Sequence, residues 1–228
     1  MIETLGSNHK SPEVKKPTPS GPETVTYKGR IIEVVEQPMK IGEKLVSFEK
    51  ARRSPGTRLL ITSNKGNILL TKEYRSEVSG YDYRLPGGKV FDSLEEYKEA
   101  ISNGDDILEK SKIAASKEAY EEVGIDTKDI RHFYTSKCGG TVEWDLHYFS
   151  LQTDTEQLGE QHLEDGEDIA VGWYTPAQAM EFALNGDISE DRSVAVLMRH
   201  LHTMKKNIAD KEANKIEDSQ EKTIFSYN

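Results

Sequence analysis

The sequence predicts an α+β chain, an α/β/α sandwich built on a mixed sheet and preceded by an antiparallel β-meander. Three observations carry that expectation. The N-terminal third alternates apolar and polar residues in "TVTYKGRIIEVVEQ" and "EKLVSFEKA", the period-2 signature of strands. Two apolar runs in "TRLLITSNKGNILLTKEYR" flank Asn64-Lys65-Gly66-Asn67, a strong hairpin signal. Helical segments then interleave with further strands and no internal repeat is visible, so helices and sheet share one layered core.

In chain order, residues 1 to 22 are rich in Pro, Ser, Lys and Glu with hardly any aliphatics. Such a composition cannot offset the entropy of ordering, and a mobile tail is expected. From Thr24 the strand pattern begins, with paired strands around turn residues near Gly42. After "RLPGGKV" the chain turns helical: a first segment near Ser93 to Ile101, a break at Asn103-Gly104-Asp105, and a longer helix from Ile107 to Val123 that Gly124 stops. Strands return as "IRHFYTSK" and "VEWDLHYFSL", followed by an acidic loop from Gln152 to Asp168 and the short strand "IAVGWY". Thr175 as N-cap, with Pro176 at the first helical position, opens another helix, and Asn185-Gly186 closes it. A last helix is expected from about Glu190 to Lys206 with "VAVLM" on its apolar face; the residues past Ile208 are charged and expected to fray.

With 228 residues, 35% hydrophobic and 31% charged, the chain can bury one sizeable core, or one core plus a small appended layer. No apolar run approaches the roughly 20 residues that span a bilayer. The amino terminus has neither the apolar stretch nor the small-residue cleavage site of a secretory signal, so cytoplasm is the expected compartment. A single cysteine, Cys138, excludes an internal disulfide and a multi-cysteine zinc site. The net charge of −10 argues against binding a nucleic-acid backbone, which rests on clustered Lys and Arg. It does not exclude a small phosphorylated ligand held through metal ions. The six histidines, His9, His132, His147, His162, His200 and His202, show no metal-ligand spacing.

The chemistry concentrates in "SKEAYEEVGI", Ser116 to Ile125. On a helical wheel at roughly 100° per residue, Glu118, Glu121 and Glu122 fall within about 100° of one another, while Ile113, Tyr120 and Val123 lie opposite. Like charges at i, i+3 and i+4 each cost a few tenths of a kcal/mol in water. That cost changes sign when divalent cations lie between them, and hard oxygen donors at this spacing suit Mg²⁺, which bridges carboxylates to substrate phosphates.

The order Gly88, Glu109, Lys117, Glu118, Ala119, Glu121, Glu122, Gly124, Ile125 resembles the Nudix box, G-x5-E-x7-R-E-U-x-E-E-x-G-U with U aliphatic. From Glu109 onward the register matches at every position. Two departures stand out. The family arginine is Lys117, which keeps the charge and loses the planar fork. Twenty residues separate Gly88 from Glu109 where the pattern has five, an insertion covering "SLEEYKEAISNGDDI" at about residues 91–106. The resemblance implies a Nudix-type sandwich at 57–207, after a meander at 23–56 that serves as a possible dimerisation layer, with a charged tail at 208–228. It further implies that Glu118, Glu121, Glu122 and the Gly87 carbonyl hold Mg²⁺, or Mn²⁺, while Glu109 and Lys117 orient those ligands. The insertion could be packing, a lid or a dimer contact.

Beyond the box, the meander, "ILLTKEYR" and "RLPGGKV" look like the ADP-ribose pyrophosphatase branch, whose members cleave nucleoside diphosphates linked to sugars. That likeness covers roughly Glu23 to Leu201. It implies a general base in the loop after the box, where Glu167 matches best and Glu164 and Asp165 are alternates. Arg75 matches an arginine that reaches substrate phosphates or ribose, and Arg84 is grouped with it although an acidic residue is usual at that place. The branch also implies a homodimer joined through the meander. Two other readings stay open: a Nudix-fold sensor of a nucleotide sugar without turnover, and a hydrolase of nucleoside triphosphates or dinucleoside polyphosphates.

Overall fold

The computed structural model describes residues 15–127 and 129–206. The expected C-terminal tail and the first fourteen residues of the expected N-terminal tail lie outside them. The described residues divide into two compact units, one comprising residues 15–53 together with Cys138–Glu143, the other comprising residues 54–137 and 144–206.

The first unit is an antiparallel meander to which one short strand, Val142–Glu143, adds in parallel beside Lys44–Arg53. Its strands are β1 (Thr18–Pro19), β2 (Thr24–Lys28), β3 (Ile32–Ile41), β4 (Lys44–Arg53) and β9 (Val142–Glu143), in the order β1-β3-β4-β9 with β2 also pairing β3. The β3–β4 hairpin closes on Gly42-Glu43; Gly42 takes φ 63°, the left-handed conformation such a tight turn demands. Thr18–Pro19 pairs with Lys40 and Met39, so strand pairing begins inside the stretch whose composition reads as tail. Arg52 fixes the layer. Its guanidinium reaches Glu23 at 2.7 Å, Glu143 at 2.9 Å and the fully buried Glu33 at 3.2 Å. These charges draw Glu143 into the first sheet and correct one expectation: "VEWDLHYFSL" is not one strand but two, broken at Trp144-Asp145, with only Leu146–Thr153 belonging to the second sheet.

The second unit is the expected α/β/α sandwich on a mixed sheet. Strands β5 (Gly56–Ser63), β6 (Ile68–Arg75), β7 (Gly80–Arg84), β8 (Arg131–Ser136), β10 (Leu146–Thr153) and β11 (Ile169–Tyr174) lie in the order β11-β6-β5-β10-β8, with β7 also pairing β6. Only β5 and β10 run parallel in it. Because side chains alternate across a strand, Leu59, Ile61 and Leu69 face one side and Leu60, Ile68 and Leu70 the other, and all six are buried. Helix α2 (Ile107–Val123) covers the first face; α3 (Pro176–Asn185) and α4 (residues 191–206) cover the second.

The helix ends follow the local chemistry. Asp106 caps α2 by accepting from the Leu108 and Glu109 amides, and Gly124 ends it at φ 65°. Thr175 and Gln178 form a reciprocal capping box on α3. The inserted helix, α1 (Leu94–Asn103), is capped by Ser93 and buries Leu94 and Ala100. Helix α2 departs from the wheel in one respect. Ile113 and Tyr120 are 61% and 49% exposed, and the face against the sheet is Ser111, Ala115, Ala119, Glu122 and Val123. Small residues let the helix axis come close to the strands, so of the wheel's apolar sector only Val123 is buried.

Candidate active site

Four pieces of the second unit converge on a cleft of about 480 Å³. Helix α2 contributes Glu118, Glu121 and Glu122 from its last turns. The end of β6 contributes Glu73, Tyr74 and Arg75, and the loop after β7 contributes Gly87, Gly88 and Lys89. The loop before β11 closes the remaining side with Glu164, Gly166, Glu167 and Asp168. That loop is fastened to α2 through carbonyls the helix leaves unpaired at its C-terminus: His162 N–H donates to Glu121 O at 2.8 Å, and Gln161 Nε2 donates to Glu122 O at 2.6 Å. Gly124 and Gly159 meet backbone to backbone, leaving no room for a Cβ on either.

Each carboxylate of the acidic turn has its own setting. Glu122, 9% exposed, accepts the Gly87 N–H at 2.8 Å. Its pKa is pushed up to about 8, by burial first and the neighbouring Glu118 charge second. Burial and then Glu121 push Glu118 up to about 7. Glu121 pairs with Lys117 Nζ at 3.0 Å, and that bond raises the lysine. Gly88 lacks a Cβ where Glu118 needs the space, since a methyl there would collide with the Glu118 carboxyl. Glu164 and Glu167 close a turn on each other around Gly166, at φ 93°: the Glu164 N–H donates to Glu167 Oε2 at 2.9 Å and the Glu167 N–H to Glu164 O at 3.1 Å.

The cleft thus brings together Gly87, Glu118, Glu121, Glu122, Glu167 and Arg75, with Lys117 at its rim. Two residues expected in the site lie elsewhere. Glu109 is exposed in the first turn of α2, nine residues before Glu118 and therefore about 13 Å away along the helix axis. An uninterrupted helix cannot bring it back to the carboxylates. Arg84 does not line the cleft: its Nε donates to the buried Asp82 at 2.6 Å and its Nη2 to Glu77 at 3.1 Å.

Three contributors escaped the sequence reading. Glu73 holds Arg75 Nη2 at 2.6 Å, and their i, i+2 spacing on a strand was the available signal. Lys89 bonds Asp92 at 2.9 Å and lies 3.7 Å from Glu164. Arg58, the one charged residue of β5, donates to Gly87 O at 2.8 Å.

The donor set suits a divalent cation: hard carboxylate and carbonyl oxygens, with two carboxyls whose charged forms are disfavoured where they stand. Among the described residues no three carboxylates or histidines already sit at metal-ligand spacing. Like charges separate, and Glu121 and Glu122 each take a protein donor instead.

A family model described as NUDIX domain matches residues 52–196. The chain belongs to the Nudix family. It is a Nudix hydrolase, and Nudix enzymes generally use divalent metals such as Mg²⁺. The Nudix fold is equally plain in the backbone: a solved structure described as an ADP compounds hydrolase aligns over 86% of this chain and 98% of its own, with a TM-score of 0.64 at 18% sequence identity. No curated protein sequence matches the chain significantly.

Proposed function

We propose that this Nudix hydrolase cleaves the diphosphate of a nucleoside diphosphate sugar such as ADP-ribose, giving a nucleoside monophosphate and a sugar phosphate. The observation that carries the reading is the pairing, across one cleft, of the Glu118-Glu121-Glu122 cluster with the Arg75 side chain. Arg75 lines the cleft; its Nη2 is held by Glu73 at 2.6 Å, while its buried Nε makes no hydrogen bond and stands 4.0 Å from Glu77 Oε1, which leaves donor capacity for a phosphate. The solved ADP compounds hydrolase of the same fold supports the substrate class.

Glu118, Glu121, Glu122 and the Gly87 carbonyl would hold Mg²⁺ or Mn²⁺, which when bound neutralises phosphate charge and lowers the pKa of the attacking water. Glu167, in the cleft wall, would take a proton from the attacking water as the water oxygen bonds to phosphorus and the bridging P–O bond breaks, the leaving phosphate carrying off that bond's electron pair. Arg75 orients the non-reacting phosphate, held in turn by Glu73. Lys117 steers Glu121 through a single ammonium contact, and Glu109 acts on none of these groups.

Oligomeric state belongs to the first unit. Val25 stands opposite Val35, which stands opposite Lys50, so Val25, Val46 and Phe48 share one sheet face, and all three are well exposed. This supports a homodimer joined through the meander. No helix among the described residues is long and apolar enough to cross a membrane, and cytoplasm is the compartment proposed.

The test is product analysis with ADP-ribose, other nucleotide sugars, nucleoside triphosphates and dinucleoside polyphosphates, with and without Mg²⁺. Metal-dependent nucleoside monophosphate from a nucleotide sugar supports the reading. Preferential turnover of triphosphates or polyphosphates replaces it with the rival substrate class. Ligand-induced thermal stabilisation without turnover of any candidate replaces it with a sensor.

A further inference from the structure

We infer that Arg58 and Glu190 are positioning residues for the cleft, a buried ion pair that fixes the Gly87 carbonyl so that its second lone pair faces the cation site. The inference rests on the proposed hydrolase reading and concerns residues outside the signature box. Arg58 lies on β5 with its side chain almost fully enclosed. Its Nη1 donates to Gly87 O at 2.8 Å and to Thr57 O at 3.0 Å, and its Nε donates to Glu190 Oε2 at 3.1 Å. Glu190 is fixed at the start of α4: its backbone carbonyl accepts the Ser193 and Val194 amides, and its Oε2 also accepts Ser193 Oγ–H at 2.6 Å.

A carbonyl oxygen carries two lone pairs. Arg58 occupies one and, because the guanidinium is a rigid planar fork held at two edges, it also sets the plane of the peptide. The same residue's N–H is committed to Glu122 Oε2. Gly87 therefore joins a carboxylate of the acidic turn to a buried cation, and its φ of 138° lets a backbone with no side chain serve both. Neither lysine of the cleft can replace this arrangement, since Lys117 and Lys89 approach from the solvent side and engage carboxylates.

A second arm starts one residue away and reaches the opposite wall. The Ser189 N–H and Oγ–H donate to Asp82 at 2.7 and 2.8 Å, and Asp82 accepts from Arg84 Nε at 2.6 Å. Arg84 Nε stands 4.0 Å from Glu73, the partner of Arg75. Residues 189 and 190 thus hold the Gly87 wall and the Glu73-Arg75 wall from behind. Arg84 acts in this frame and not on substrate.

The experiment uses the full chain and reads metal binding without substrate as well as turnover. Arg58→Lys keeps the charge and loses the fork; Glu190→Gln keeps the shape and loses the charge. Because a stranded buried charge can itself unfold a protein, the double variant Arg58→Met/Glu190→Leu removes both at once. For each, the Mg²⁺ or Mn²⁺ midpoint is taken from thermal-shift titrations of metal-free protein, and kcat and KM from hydrolysis of ADP-ribose. The expected result is a folded protein whose metal midpoint rises and whose kcat falls by about 10 to 100-fold, the effect of losing an outer partner of a ligand. Variants that lose melting temperature while keeping the wild-type metal midpoint and kcat overturn the assignment and leave Arg58 merely structural. A wild type that binds metal and hydrolyses no phosphoanhydride overturns the hydrolase reading, whatever the variants do to the midpoint. A wild type that binds no metal overturns both.

Discussion

Gly88→Ala should separate catalysis from stability. Gly88 is not in a left-handed conformation, so alanine can adopt its backbone. The new methyl would lie 2.7 Å from Glu118 Cδ, where non-bonded carbons prefer about 3.5 to 4.0 Å. The carboxyl must therefore retreat by about 1 Å. Its stem is flexible, and the rotamer adjustment costs on the order of 0.5–1.5 kcal/mol, offset by about 0.4–1 kcal/mol from the lower entropy of the unfolded alanine chain. The melting temperature should move by no more than about 4 °C. A 1 Å misplacement of a reacting group costs on the order of 10²-fold in rate, about 2.7 kcal/mol of barrier. Gly87→Ala is the control: its methyl would run into the Thr57 carbonyl and lie 2.9 Å from Arg58 Cα, both rigid backbone, at a φ of 138°. It should lose about 1–3 kcal/mol of stability. The assay pairs melting curves with steady-state hydrolysis and a Mg²⁺ titration. A Gly88→Ala protein with wild-type kcat and metal midpoint would refute the claim that Glu118 works from where it stands.

Glu118 and Glu122 predict the pH behaviour of the metal-free protein. Their folded pKa values, about 7 and about 8, lie above the unfolded value of 4.5, so the stability they contribute is complete below about pH 4.5 and is lost as pH rises through 7 to 8. Melting temperature of the metal-free protein should therefore decline across that window, and added Mg²⁺ should restore more at pH 8 than at pH 5.5. Glu122→Gln keeps an oxygen for the Gly87 N–H but removes the charge; turnover should fall on the order of 10³-fold, while metal-free melting at pH 8.5 equals or exceeds wild type. Phe48→Glu puts a charge on the exposed meander face, and light scattering should find a monomer where the wild type is a dimer.

The sandwich was legible because periodicity and punctuation agreed: the apolar runs around Asn64-Lys65-Gly66-Asn67 became the β5–β6 hairpin, and Gly104, Gly124 and Gly186 each end a helix in the left-handed conformation. The acidic turn was legible because its three glutamates are close in sequence. What the sequence hid depends on contacts between distant residues. Glu109 fitted a spacing, but its place in space was set by where α2 begins, at Asp106 after the insertion. Arg84 looked like a substrate contact from its neighbours along the chain; its partner Asp82 is buried because Ser189, more than a hundred residues later, bonds it. Ile113 and Tyr120 lie opposite the glutamates on the wheel yet are exposed, because a wheel does not reveal that alanines face the sheet. Glu143 is parted from its apparent strand by ion pairs with Arg52 and Lys50 inside the first unit.

The central claim is that cations, not water, are the intended neighbours of Glu118, Glu121 and Glu122. The most direct measurement is a calorimetric titration of Mg²⁺ or Mn²⁺ into chelator-stripped wild type and Glu122→Gln, with ADP-ribose hydrolysis followed in the same samples. Binding should be saturable with a midpoint that coincides with that of activity, both lost in the variant. Hydrolysis that persists after chelation, or metal binding that Glu122→Gln leaves unchanged, would contradict it.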